Sequence, residues 1–141
     1  MTIQTIIDTY KEQVNLAATT YRLRDSLIYA VIVQESSGNF GAVSNCGARG
    51  LMQLTPIALL DFNRLFHKEY VFAEMFNPDA NIDAGSGFLS HVIQQLGDET
   101  LGIRAYNQGA GRVKKNPDAG KWYSDGVLAH EKSIIEILNP E

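Results

Sequence analysis

Apolar residues recur at helical spacing along most of the chain. Ile3, Ile6, Ile7, Tyr10, Val14 and Ala17 share one face, with polar residues between them, which predicts an amphipathic helix from Ile3 to about Tyr21. A second helix runs to about Ser36, with Asp25 or Ser26 placed to cap it. Its interior, Leu27 to Val33, is apolar on nearly all faces, as in a helix that crosses a core. Residues 37–49 hold Gly38, Gly41, Gly47, Asn39 and Asn45 and read as a loop, with room for at most a small β-hairpin. Thr55-Pro56 opens a third helix carrying Ile57, Leu60, Leu65 and Phe66. Asn77-Pro78-Asp79 opens a fourth, with Ile82, Gly85, Leu89, Val92, Ile93 and Leu96, and Gly97 ends it. Its small face at Ala84, Gly85 and Gly87 implies close approach of a packing neighbour or of substrate. A short helix follows from Asp98 to about Tyr106. Residues 107–120 form a loop with one helical turn at 111–113, and a last helix spans about Ser124 to Leu138. The pattern is mainly α, without repeats or linkers, and predicts one domain over residues 1–141.

Composition narrows the function classes. At 141 residues the chain can bury a substantial core in one domain. Its net charge of −4 argues against nucleic-acid binding, which leaves a basic footprint. A single cysteine, Cys46, rules out an intrachain disulfide, so packing alone must hold the fold. Cys46 lies in the predicted loop and no motif supports a catalytic thiol. No apolar run approaches membrane-spanning length. The N-terminus has no basic region, and Asp8, Lys11 and Glu12 interrupt any apolar stretch, so no signal peptide is expected.

Glu35 is the first acidic residue after the apolar run, and Ser36-Ser37-Gly38 breaks the helix at once. The negative end of the helix dipole and apolar surroundings both disfavour the ionised carboxyl there. A carboxyl so placed is a candidate general acid near neutral pH. The plainer reading is a helix meeting water.

Three short motifs occur in order: Glu35-Ser36, Gly50-Leu51-Met52-Gln53, and Ala105-Tyr106-Asn107-Gln108-Gly109. With Ala42-Val43-Ser44 and Gly47-Ala48 between the first two, the stretch from Leu27 to Val113, and more weakly Tyr123 to Leu128, resembles the catalytic core of soluble-type (SLT) lytic transglycosylases, a group similar to goose-type lysozyme. Gln108 departs from the small residue usual in the third motif, which bears on the groove's shape.

The resemblance implies a lysozyme-like helical domain with a groove for peptidoglycan glycan strands, acting at the cell wall as a monomer without a cofactor. It also implies cleavage of the β-1,4 bond between N-acetylmuramic acid and N-acetylglucosamine. Glu35 would protonate the leaving oxygen, then act as base on the muramyl C6 hydroxyl to give a 1,6-anhydro product. Without a signal peptide, such a chain would be phage-delivered, otherwise exported, or cut from a leader. Asp25, Asp61, Glu69, Glu74, Asp79 and Asp83 each sit at a helix start or on a polar face, and none carries a motif as a second catalytic carboxylate.

Ser36, Ser44, Met52, Gln53, Tyr106 and Asn107 are the candidate substrate-binding residues. Ser44 and Gln53 suit sugar hydroxyls and amides, Met52 offers an apolar wall, and Tyr106 is expected to donate to the Glu35 carboxyl or to the bound sugar. Their structural alternatives are an exposed helix position for Gln53, the core for Met52, another acceptor for Tyr106 and a helix cap for Asn107. His67, His91 and His130 follow no ligand spacing and read as surface residues, so no metal is expected. Arg112, Lys114 and Lys115 form a small basic cluster on a solvated loop, with contact to an anionic muropeptide as the sharper reading. Two other functions fit the same residues: a hydrolytic muramidase, with water replacing the C6 hydroxyl, and a non-catalytic wall-binding module. Intact Glu35, Gln53 and Tyr106 argue against the last.

Overall fold

A computed structural model describes residues 1–140. Seven α-helices account for the architecture of the described residues: α1 (Ile3–Tyr21), α2 (Asp25–Ser36), α3 (Pro56–Phe66), α4 (Pro78–Leu96), α5 (Glu99–Gln108), α6 (Ala110–Lys115) and α7 (Lys121–Leu138). A 3-10 turn at Phe72–Phe76 precedes α4.

Helix α2 is the central rod. Every residue from Ser26 to Ile32 is buried, and the helix packs between α1 and α7. Helix α4 is the second organiser, in contact with α1, α3 and α5. Its small face is used for packing. A Cβ on Gly85 would fall 2.6 Å from the Met52 sulfur, and one on Gly87 would fall 2.4 Å from the Phe62 ring. Both glycines therefore let bulky core residues lie against the helix backbone.

Thr55 and Asn77 cap α3 and α4 as their sequences imply, each with Pro in the first turn. Gly97 ends α4 in the left-handed conformation. The start of α2 differs from expectation. Arg24 occupies the cap position and no side chain caps the helix. The Asp25 carboxylate accepts from the Ser26 N–H, and the Ser26 hydroxyl donates to Glu131 at 2.6 Å. Arg24 donates to Glu131 at 2.8 Å and to Glu99 at 2.9 Å. Arg24 and Ser26 are committed to an ionic clasp joining α2, α5 and α7, while the Asp25 contact stays local. Burial alone would raise the Glu131 carboxyl, but hydrogen bonds from Arg24 and Ser26 hold it below its ordinary range.

Helix α3 presents a different face from the one its pattern suggests. Ala58, Leu59 and Phe62 are buried, whereas Ile57 and Leu60 are exposed. Phe62 and Phe66 set the rotation by packing against Tyr21, which Gly87 leaves room for. The C-terminal elements are longer than predicted. Helix α5 continues to Gln108, α6 covers six residues, and α7 begins at Lys121 rather than Ser124.

The hairpin expectation is met only by two isolated antiparallel bridges, Val43 with Arg49 and Arg49 with Leu54, and no strand forms among the described residues. A side chain takes over part of the work of a sheet here. Asn81 is fully buried on α4. Its Nδ2 donates to the carbonyls of Arg49 and Met75, and its Oδ1 accepts from the Met52 N–H, each within 2.9 Å. Gly50 lies against this amide with φ +80°. A Cβ there would fall 2.1 Å from the Met75 carbonyl oxygen, so only glycine fits.

Candidate active site

The first motif sits at the end of α2. Glu35 is the penultimate helical residue, and Ser37 follows in the left-handed conformation with φ 53°. Ser36 is half-buried. Its hydroxyl donates to the Leu51 carbonyl at 2.8 Å and accepts from the Gly38 N–H at 3.2 Å, tying the helix end to the second motif.

The carboxyl of Glu35 accepts a hydrogen bond from the Tyr123 hydroxyl at 2.5 Å. Burial pushes Glu35 up to about 7, and the Tyr123 hydrogen bond offsets this in part. No neighbouring carboxylate contributes to the shift. Most of the acids considered as partners are engaged elsewhere. Asp83 accepts from Tyr21 and Tyr70, Asp79 from Gln13, and Glu74 from the Val71 N–H. Asp61 faces Arg64 at 3.7 Å.

The expectation that Tyr106 holds Glu35 is corrected. The Tyr106 hydroxyl donates to the Met52 carbonyl at 2.6 Å, so it braces the second motif from α5. Burial, then the nearby Glu35 charge, push the Tyr106 hydroxyl well above its ordinary range. The same two causes lead for Tyr123. Glu35, Tyr106 and Tyr123 therefore form one electrostatic cluster, but the direct bond to the carboxyl comes from α7. Tyr123 belongs to the stretch of weaker resemblance. Its sequence signal is a tyrosine on the buried stripe with Val127 and Ile134, since a buried tyrosine needs a hydroxyl partner.

Met52 is also corrected as a groove wall. Its side chain is wholly buried, with its sulfur 3.7 Å from the Ser86 hydroxyl, so its contacts are with α4. Gln53 stands in the left-handed conformation, φ 54°. Its Nε2 donates to the carbonyls of Gly50 and Ala42, which leaves its Oε1 without a protein donor. The Ser44 hydroxyl accepts from the N–H groups of Cys46 and Ala48 and shapes the loop. Cys46 is exposed.

A cleft of about 430 Å³ opens between α3, α4 and α5. Gln53, Phe88, His91, Tyr106, Asn107 and Gln108 contribute to its lining; Glu35, Ser36, Ser44 and Met52 do not. His91 is thus half-buried in a cleft wall rather than simply on the surface. Asn107 is exposed and accepts from the Gln108 Nε2 at 2.6 Å. The Gln108 Oε1 in turn accepts from Arg112 at 3.1 Å. The unusual residue of the third motif therefore links its asparagine to the basic cluster. A larger cavity, about 640 Å³, is lined by Tyr21, Tyr70, Asp83 and residues of α1, and holds none of the candidate site residues. Among the described residues, no group of His, Cys, Asp and Glu is arranged to hold a metal, and no helix is long and apolar enough to cross a membrane.

A half-buried carboxyl near neutral pKa, hydrogen-bonded to a tyrosine and without a charged partner, can give up a proton and take it back at neutral pH. Comparison with known proteins connects this arrangement to a family. The transglycosylase SLT domain model matches residues 12–127. A transglycosylase of Enterobacteria phage PRD1 is 31% identical over 102 residues, which cover 72% of this chain and 36% of that protein. A membrane-bound lytic murein transglycosylase C of Histophilus somni is 34% identical over 147 residues, covering 94% of this chain and 38% of that protein. The chain therefore spans little more than a third of these relatives' length. An inactive mutant of the lytic transglycosylase Slt from Pseudomonas aeruginosa superposes with a TM-score of 0.85 at 30% identity, over 92% of this chain and 24% of that one. By sequence along most of its length, and by the helical architecture that carries the three motifs, this chain belongs to the transglycosylase SLT domain family.

Proposed function

We propose that the chain is a peptidoglycan lytic transglycosylase domain, acting at the cell wall as a monomer, with Glu35 as its one catalytic carboxyl. The observation that carries this reading is the environment of Glu35. Burial raises it to about 7, the Tyr123 hydroxyl orients it, and no second carboxylate contributes to its ionisation. At neutral pH the protonated form is well populated, so Glu35 can protonate the glycosidic oxygen as the bond to the muramyl C1 breaks. The resulting carboxylate then takes the proton of the muramyl C6 hydroxyl, whose oxygen closes on C1. One proton is given and one regained, and no water enters the product.

Two carboxyls are the commoner arrangement for glycoside cleavage, and a hydrolytic course usually places the second where it can activate water. The engagement of Asp61, Asp79, Asp83 and Glu74 in other contacts supports the internal attack. Gln53 and Asn107, on the cleft wall, are suited to hold acetamido and hydroxyl groups of the strand. Ser36, Ser44 and Met52 act behind the wall by shaping the motifs.

Mass spectrometry of the products released from purified peptidoglycan tests the proposal. Muropeptides with 1,6-anhydro ends are expected. Reducing ends would assign hydrolysis instead. Release of no fragments by a folded protein would overturn the catalytic reading.

A further inference from the structure

The chain has one tryptophan, and it is not in the core. Trp122 is 64% exposed at the start of α7. Tryptophan is on average a highly buried residue, so leaving the single indole in water forgoes the largest apolar contribution any side chain here could make. Leu16, Ile57, Leu60 and Val71 are also exposed, but they carry no ring and lie away from α7. Trp122 differs in its position. Its ring meets that of Tyr123 at 87°, with centroids 5.7 Å apart. Tyr123 is the residue hydrogen-bonded to Glu35. The indole is therefore one ring removed from the candidate acid. Phe40, the other exposed aromatic side chain, forms no ring contact that links it to this cluster.

The perpendicular contact covers at most one face of the indole. The neighbouring charges, Lys121 and Asp125, pair with each other at 2.9 Å across one helical turn. An open indole face carries the negative side of the ring quadrupole, and its N–H can donate. A β-1,4-linked N-acetylhexosamine ring is complementary to both. Its equatorial substituents leave C–H groups exposed on its faces, and its acetamido and hydroxyl oxygens accept hydrogen bonds.

We propose that Trp122, linked to Glu35 through the Tyr123 ring, is a sugar-stacking platform that binds one N-acetylhexosamine ring of the glycan strand. This deepens the transglycosylase reading and rests on it for the identity of the strand. The platform acts on binding: it holds a ring that Glu35 does not protonate, so its contribution falls on affinity rather than on the chemical step.

Because Trp122 is the only tryptophan, its emission reports the site without a label. In a Glu35→Gln background, which prevents turnover, the β-1,4-linked N-acetylglucosamine tetramer is expected to change indole emission saturably. Calorimetry with the same tetramer should show Trp122→Ala weakening binding roughly five- to tenfold, as for an exposed stacking contact rather than a buried anchor, with Trp122→Phe in between. On soluble peptidoglycan fragments, with Glu35 present, Trp122→Ala should raise KM by a similar factor and leave kcat within about twofold.

The proposal is overturned if the tetramer binds without altering the emission, if neither method detects binding, or if Trp122→Ala binds as tightly as the parent. It is also overturned if kcat falls while affinity holds, since Trp122 would then only brace Tyr123. A wild-type protein that releases nothing from peptidoglycan, yet shows the emission change with the tetramer, would defeat the lytic reading and leave the platform standing.

Discussion

The Tyr123 hydroxyl donates to the Glu35 carboxylate at 2.5 Å, across a separation of 88 residues. The bond favours the ionised form and so opposes the effect of burial. Tyr123→Phe should therefore raise the Glu35 pKa further above 7 and loosen the carboxyl. We expect activity on purified peptidoglycan to fall, with the alkaline limb of the pH–rate profile moved to higher pH. A mutant with lower activity but an unmoved limb would indicate that the hydroxyl orients Glu35 without tuning it.

Glu35 itself leaves a signature in both rate and stability. As the proposed general acid it must be protonated in the free enzyme, so kcat/KM should decline above about pH 7. Glu35→Gln should reduce turnover about a hundred- to ten-thousandfold with the fold retained. The stability effect has the opposite sign to the activity effect. The folded pKa lies above the unfolded one, so the folded state holds the extra proton between about pH 4.5 and 7, and wild-type stability falls as pH rises through that window. Glu35→Gln removes this loss. Thermal unfolding should show the mutant gaining on wild type from pH 4 to pH 8, by up to about 3 kcal/mol. A difference independent of pH would mean that Glu35 titrates normally.

Tyr106→Phe separates the two tyrosines. It removes the donor to the Met52 carbonyl, not the donor to Glu35. A loss of about 1–3 kcal/mol is expected from a buried acceptor left unpaired. Activity should fall through displacement of Gln53, with the alkaline limb where wild type has it. A shifted limb would show that Tyr106 also acts directly on the carboxyl.

Gly50→Ala tests how the second motif is held. The new Cβ would collide with the Met75 carbonyl oxygen, and the residue would sit at φ +80°. Destabilisation of more than about 2 kcal/mol is expected. Asn81→Leu, which keeps the branching of the side chain but deletes three hydrogen bonds, should act in the same direction. Unchanged melting temperatures in both would show that the turn tolerates rearrangement.

Helix existence and most helix ends were written locally in this chain. Thr55-Pro56, Asn77-Pro78 and Gly97 act within a turn of their own positions, and the apolar stripe of α1 needs no partner to be recognised. Glu35 was legible as a candidate acid because it stands at the end of an apolar helix. The sequence could not determine which faces meet. Ile57 and Leu60 looked like core, yet Phe62 set the rotation of α3 against Tyr21 and α4. Asp25 and Ser26 looked like caps, yet Glu131 and Arg24 recruited the start of α2 into a clasp with α7. That docking also placed Tyr123, rather than Tyr106, on the Glu35 carboxyl. Either hydroxyl satisfies the chemistry. Only the packing of α7 against α2 brings one of them within bonding distance, because hydrogen bonding depends on tenths of an ångström that no periodicity encodes.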